Sequence, residues 1–422
     1  MSHSVELLAV GTELLLGSVA NTDAQLLSRE LSGLGLNVYY HSVVGDNPAR
    51  LAAAVELAKS RADVLITTGG LGPTCDDLTK RVVAQAFGRQ LIYHPACADA
   101  IRAYFAASGR EMPENNLQQA WLPEGCQVLE NRWGTAPGCA FHSQGCWVVM
   151  LPGPPGECLP MFREQAAPWL AQLSEGVIRS RTLRVFGWGE SQVERLLRPQ
   201  MDRLTNPTLA PYAKQGEVEL RITAKAEDGQ TAQALIAPVE REVRAALGDL
   251  VYGTEGNSLE RVVLEGLKDR GLTLGTAESC TGGLLAKRMT DLPGAAAAFR
   301  GSVVSYVNEV KRQVLGVPQA LLEERGAVCE EVARAMAQGA RRVLDCDVAV
   351  STTGVAGPDS DEWGNPVGLV YVALATQSGC WVRKLNLAGA VEGRERVRTL
   401  AASHGLDMVR RWLAGLEIVP DL

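Results

Sequence analysis

The sequence predicts an α/β protein: two α/β domains with mainly parallel sheets, joined by a small α+β domain. Short apolar segments alternate with helix-period segments over residues 1–172, and the same alternation restarts at residue 256. Between them, residues 173–255 hold a segment of strict two-residue alternation, the mark of a half-exposed antiparallel strand. At 422 residues the chain exceeds one ordinary core, and its length suggests roughly three domains.

In the first domain, residues 5–10 form an apolar strand that empties into a loop. Residues 24–31 carry Leu26, Leu27 and Leu31 at helical spacing, ended by Gly33 and Gly35, and residues 36–44 return as strand. A helix over 51–58 precedes a strand at 64–67 that runs into a glycine loop. A further strand at 147–151 is stopped by Pro152-Gly153-Pro154-Pro155-Gly156. In the middle domain Ser191 and Glu194 form a capping-box signal for a helix with Val193, Leu196 and Leu197. Val218, Leu220, Ile222 and Ala224 alternate with polar residues, and Leu235, Val239, Val243 and Leu247 lie four apart on one predicted helical face. The third domain opens with a helix over 259–267, a strand over 272–277 and a helix over 284–289, then strands at 302–306, 348–352 and 369–375.

Composition is globular, with 46% hydrophobic and 21% charged residues, and 43 glycines and 20 prolines marking many turns. A net charge of −7 argues against a sequence-blind grip on nucleic acid or an anionic membrane, which needs clustered positive charge. The ten cysteines show no CxxC spacing and only five histidines exist, so the expectation is buried, reduced cysteines and no zinc cluster. The opening MSHSVELLAV has no basic flank before an apolar stretch, and no run of about 18 apolar residues occurs. A cytoplasmic protein is expected.

Ser279 lies at a predicted strand–helix junction, in Glu278-Ser279-Cys280-Thr281-Gly282-Gly283. The first N–H groups of such a helix lack intrahelical partners and can receive a phosphate or an oxyanion. A plain helix cap explains the same residues. A serine nucleophile needs a base. This domain's one histidine is His404, so the candidate base is Lys311, in Ser305-Tyr306-Val307-Asn308-Glu309-Val310-Lys311. A lysine base must be largely neutral, its pKa brought from about 10.4 toward roughly 7–8 by burial or a neighbouring cation. A solvated helix lysine is the plainer alternative. A third strand-end loop, Ser351-Thr352-Thr353-Gly354-Val355-Ala356-Gly357-Pro358, offers the Thr353 hydroxyl and backbone amides, and by itself is also compatible with a glycine turn.

Taken together, these three segments resemble the signature motifs of nicotinamide mononucleotide (NMN) deamidases, the C-terminal domain of CinA-type competence/damage-inducible proteins, across residues 256–422. The resemblance implies hydrolysis of NMN to nicotinic acid mononucleotide and ammonia, with no cofactor. It implies Ser279 as nucleophile, Lys311 as base, Thr353 orienting the pair or the oxyanion, and Tyr306 beside the pyridine ring. Thr281, Gly282, Gly283, Asn308, Gly354 and Arg394 are then expected to bind NMN. The family usually shows Gly-Asp-Arg before Val-Arg near its end. Here that region reads Gly389-Ala390-Val391-Glu392-Gly393-Arg394-Glu395-Arg396-Val397-Arg398, so the Asp is missing or displaced. Arg394, and after it Arg398, remain candidates for the phosphate.

In the front domain the strand at 64–67 runs into Thr68-Gly69-Gly70-Leu71-Gly72-Pro73-Thr74-Cys75-Asp76-Asp77-Leu78-Thr79. Glycines let backbone amides wrap an anion, and two acids beside a phosphate loop call for a cation between them. An ordinary strand–loop–helix turn with Asp near a helix N-terminus is the alternative. Gly11-Thr12-Glu13, Asn21-Thr22-Asp23, Gly134-Thr135-Ala136-Pro137-Gly138 and the 151–157 turn supply other walls. These segments resemble the molybdopterin-binding-like domain at the front of CinA proteins. That likeness implies a metal-dependent ADP-ribose pyrophosphatase giving AMP and ribose 5-phosphate. Gly69, Gly70, Gly72, Thr74, Thr79, Asp23 and Thr135 are expected on ADP-ribose, and Asp76, Asp77 and Glu13 on Mg²⁺ or Co²⁺, with K⁺ as a further candidate cation. The family often has Asn where Asp23 stands.

Residues 173–255 occupy the place of the family's KH-like domain. RNA-binding KH domains use a GxxG clamp, and the one match nearby, Gly253-Thr254-Glu255-Gly256, falls in the exit linker and carries an acid. A structural and dimer-forming role is expected, with a homodimer, no membrane and no direct nucleic acid as partners. The competing reading is a non-catalytic nucleotide- or molybdopterin-binding scaffold linked to competence or DNA repair.

Overall fold

The computed structural model describes residues 3–173, 176–387 and 393–420. The chain is α/β and folds as two compact units, 1–179 with 224–235, and 180–223 with 236–422.

In the first unit six strands form one sheet in the order Asn37–Val44, Ser4–Val10, Val64–Thr68, Cys146–Leu151, Gly138–Ser143, Gln127–Leu129. The first four run parallel, and the last two fold back antiparallel. The central strand Val64–Thr68 is buried throughout, as a strand covered on both faces must be. One face packs Leu51, Val55, Val83 and Ile101, and the other packs Leu27, Leu31, Phe162 and Leu170. The helix expected over 24–31 begins earlier, at Thr22, because the Asn21 side chain caps it by accepting the Ala24 N–H at 3.2 Å.

In the second unit the sheet order is Phe299–Val304, Leu274–Glu278, Val348–Gly354, Leu369–Ala375, Cys380–Asn386. The first three strands are parallel and the last two antiparallel. Helices again cover both faces: Leu259–Lys268 and Gly393–Leu413 on one side, Glu330–Val343 on the other. Among the described residues, no helix is long and apolar enough to cross a membrane.

Two expectations for the middle segment need correction. The helix there spans Glu190–Arg203 with Gly189 at its N-cap, and Gln192, not Glu194, reaches back to accept the Gly189 N–H at 3.0 Å. Ser191 therefore lies inside the helix. The helix Gly229–Leu247 buries Ala232, Ile236, Val239, Val243 and Leu247, while Leu235 is only half-buried. A strict four-residue step overruns the 3.6-residue turn, so the face drifts off Leu235 and onto Ile236. The alternating segment is, as read, an antiparallel strand, Glu217–Ala226 paired with Thr208–Lys214, with Val218, Leu220, Ile222 and Ala224 inward. All ten cysteines are free, and Cys75 departs from the rest in being exposed.

Candidate functional site

Parallel register builds the rear site. Glu278 pairs with Val304 on one side and Thr352 on the other, so the next residues, Ser305, Ser279 and Thr353, emerge level at the carboxyl ends of three strands. The crossing bonds Ser279 N–H to Thr352 O (2.9 Å) and Ser305 N–H to Glu278 O (2.8 Å) hold them there. Strand carboxyl ends are where open α/β sheets bind ligands.

Lys311 reaches this row from the short helix Asn308–Gln313 and is fully buried. Its Nζ lies 3.1 Å from Ser279 Oγ, 2.7 Å from Ser305 O and 3.3 Å from Tyr306 O. Burial pulls the ammonium down to about 8. A neutral amine has two N–H groups, which match the two carbonyls, and one lone pair, which then faces the Ser279 hydroxyl. The neighbouring Cys280 thiol is pushed up to about 12 by burial, so it stays protonated and does not compete as a nucleophile.

Around Ser279 lies a cavity of about 270 Å³, lined by Tyr306, Asn308, Lys311, Thr353, Gly354 and Arg394 among others. Arg394 donates to Gly357 O (2.5 Å) and to the Tyr306 hydroxyl (3.0 Å), which fixes the phenol at the rim. Thr353 Oγ1 donates to Ala327 O at 2.7 Å. Its one proton is thus committed, and what it offers the cavity is an acceptor; the expected oxyanion role does not fit this hydroxyl.

Thr281, Gly282 and Gly283 are not among the residues lining this cavity. Thr281 Oγ1 is buried against Thr352 Oγ1 at 2.7 Å, and Arg398 donates to the Thr281 carbonyl at 2.8 Å. Gly282 and Gly283 turn the chain with φ of +60° and +92°. The free helix N–H groups expected at this junction are also occupied. Glu278, fully buried, accepts Leu285 N–H (3.0 Å) and Ala286 N–H (2.9 Å) through its two carboxylate oxygens. Glu278 is thus the anchor beneath Ser279, a task that no local sequence signal marks. The stretch Gly389–Glu392, where the family's Asp is missing or displaced, lies outside the described residues.

The front site is a wider cavity of about 590 Å³ at the carboxyl ends of the first sheet. Gly69 takes φ +91° and packs on the Ser4–Val10 strand end, where a Cβ would come within 2.2 Å of Val10 O. Gly69, Gly70, Gly72, Thr74, Asp23, Thr135, Asp76, Asp77 and Glu13 all line the cavity. Thr79 does not. It is fully buried, and its hydroxyl donates to Gly69 O at 2.8 Å, so it braces the glycine loop instead of contacting a ligand.

Thr74 ties the two acids together: its N–H (2.8 Å) and hydroxyl (2.5 Å) approach Asp77 Oδ2, and the hydroxyl also meets Asp76 Oδ1. The Thr74 bond holds the Asp76 carboxyl below its ordinary range. Among the described residues no group of three or more His, Cys, Asp or Glu is placed to hold a metal, so Asp76, Asp77 and Glu13 do not form the three-acid set expected. Asp76 and Asp77 alone still suit a Mg²⁺ ion, which uses one or two carboxylates and takes its other ligands from water and substrate phosphates. Asp23 is buried with Oδ1 unpartnered, and burial pushes its carboxyl up to about 6. Asp46 and Gln119 also line this cavity and were not singled out in the sequence. Gln119 is buried with Oε1 unpartnered, and its carbonyl accepts from the buried Lys80 at 2.8 Å. No local motif flags Gln119; it reaches the site only through the packing of residues 114–120.

Three family models match the chain: a probable molybdopterin binding domain over 6–172, the damage-inducible protein CinA KH domain over 180–253, and the CinA C-terminal domain over 256–413. A CinA-like protein of Desulfovibrio desulfuricans is 48% identical over 414 residues, covering 98% of this chain and 97% of its own. A CinA-like protein of Dictyoglomus turgidum is 46% identical over 411 residues, covering 97% and 99%. Among solved structures, the competence/damage inducible protein CihA from Agrobacterium tumefaciens is 35% identical, covering 37% of this chain and 93% of that one at a TM-score of 0.35. With near half of all positions identical along both full lengths, the chain belongs to the CinA family.

Proposed function

We propose that the rear site hydrolyses the carboxamide of NMN to nicotinic acid mononucleotide and ammonia. The observation that carries this reading is the 3.1 Å approach of Ser279 Oγ to a fully buried lysine amine. Neutral Lys311 takes the Ser279 proton as Oγ adds to the carboxamide carbon. It then delivers that proton to the amide nitrogen, which leaves as ammonia when the C–N bond breaks. Water attacks the resulting ester with Lys311 again as base, and the proton returns to Ser279 as the C–O bond to the enzyme breaks. The Cys280 backbone N–H, directly after the nucleophile, meets no backbone acceptor among the described residues and is a donor available to the oxyanion. Thr353, as an acceptor, suits the carboxamide NH₂, and Arg394 supplies positive charge for the phosphate. Incubating the full chain with NMN and measuring ammonia tests the reading; no release at any pH between 6 and about 9 would sink it.

For the front site we propose a metal-dependent ADP-ribose pyrophosphatase. Asp76 and Asp77 would hold Mg²⁺ or Co²⁺ together with the substrate's own phosphates, and the ion would neutralise the diphosphate's charge. The glycine loop provides backbone amides for the diphosphate, and Asp23 and Gln119 provide unpaired polar atoms for ribose hydroxyls or base N–H groups. A second reading, a nucleotide or molybdopterin binder, is favoured by the lack of a three-acid group among the described residues. AMP released from ADP-ribose with added metal separates the two. The same reading divides the chain into 1–172, 173–255 and 256–422, and takes it to be a cytoplasmic homodimer without a nucleic-acid or membrane partner.

A further inference from the structure

The loop joining the Val348–Gly354 and Leu369–Ala375 strands has no part in the mechanism above, yet Asp361, Glu362 and Trp363 form a wall of the Ser279 cavity. Asp361 is used up within the loop. Its carboxylate accepts the Trp363 N–H (3.1 Å), the Asn365 N–H (2.8 Å) and the Asn365 side-chain amide (2.8 Å). That turn presents the next two side chains. Trp363 remains 47% exposed although it borders a cavity, which leaves much of a large apolar ring unpaired. Gly326 gives the indole its place, since a Cβ there would come within 2.7 Å of Trp363 Cδ1 and Nε1. Glu362 is exposed, and among the described residues it has no hydrogen-bond or ion-pair partner. An aromatic ring and a free carboxylate side by side are what a delocalised organic cation binds.

We propose that Glu362 and Trp363 select a cationic, N-substituted pyridinium ring over an uncharged one, the carboxylate and the indole together receiving the ring's positive charge. This deepens the deamidase reading and rests on it, because the ring of NMN carries that charge on its glycosylated nitrogen. Other charges on the cavity make the wall necessary. Arg394 is matched by the phosphate in that reading, but Lys311 adds a positive group whenever protonated, and the ring cation then meets repulsion that Glu362 offsets. Neither wall residue touches the reacting carboxamide carbon in this scheme; both set which ring enters.

The test uses the full chain carrying Ser279→Ala, so that ligands persist, and compares NMN with its dihydro form, which has the same ribose and phosphate on an uncharged ring. Calorimetry is expected to show NMN binding about tenfold more tightly than dihydro-NMN. Adding Glu362→Gln or Trp363→Leu should bring that ratio to about threefold or below, with unchanged melting temperature because both side chains are exposed. Equal affinity for the two ligands, no binding of either, or a ratio that survives both substitutions overturns the proposal. The deamidase reading fails on a different measurement, namely no ammonia from NMN with the unaltered chain.

Discussion

The two cavities sit at the same place on two similar sheets, the carboxyl ends of parallel strands, and are finished in opposite ways. At the rear most of the buried polar groups are paired, Ser305 Oγ excepted: Lys311 against two carbonyls, Thr353 against Ala327, Thr281 against Thr352, Glu278 against two helix amides. One pair, Ser279 with Lys311, is left to do chemistry. At the front the cavity is about 590 Å³ against about 270 Å³, its acids Asp76, Asp77 and Glu13 lie at or near the surface, and Asp23 and Gln119 keep unpaired atoms. A site whose groups are already paired holds its nucleophile and base in itself. An open site lined by glycine and acids supplies a mould, and requires the ligand and a cation to complete it.

The contrast is sharpest at Ser279. Ser279→Ala should lower ammonia release from NMN by about 10⁴-fold or more, while AMP release from ADP-ribose and the melting temperature hold. Parallel loss of both activities would mean that the sites are not independent. Lys311→Met should cost about 10³-fold. In the unaltered chain the rate should rise with pH through about 8, as the buried amine loses its proton, and the lysine variant should lack that limb. The same depressed pKa makes the fold bind fewer protons than the unfolded chain between about 8 and the ordinary 10.5, so this residue's contribution to stability grows as pH rises across that window.

Front-site substitutions should act more mildly. Asp76→Asn or Asp77→Asn should reduce metal-stimulated AMP release by about 10–100-fold and leave ammonia release untouched. An effect on ammonia release instead would erase the distinction between a resident and a cation-completed site. The smallest effect is expected at Asp23. Because burial favours its acid form, the fold binds more protons than the unfolded chain between 3.8 and about 6, and stability falls as pH rises through that range. Asp23→Asn should therefore stabilise the chain at neutral pH by about 1–2 kcal/mol, read by urea unfolding with and without the substitution.

Several site residues were legible because they belong to local patterns. A serine between an apolar strand and two glycines, and a glycine-rich run followed by paired acids, announce strand-end loops whatever the surrounding fold. Even so, the Glu278–Gly283 segment does not meet a ligand along its length: Thr281, Gly282 and Gly283 shape the turn, and Glu278 consumes the helix amides expected to receive one. Thr79 departs from expectation for a related reason. A hydroxyl near a phosphate loop suggests a ligand contact, but its distance to Gly69 O is visible only in three dimensions.

By itself the sequence determined the α/β class, the strand ends on which chemistry is found, and the residue types available there, because periodicity and turn chemistry are local properties of the chain. Tertiary structure alone decided which of those groups face one another. The burial that lowers Lys311, the commitment of Thr353's proton to Ala327, and the arrival of Gln119, Glu362 and Trp363 at cavity walls all depend on segments distant in sequence. Electrostatic environment and hydrogen-bond saturation are sums over spatial neighbours, and no spacing along one strand or helix encodes them.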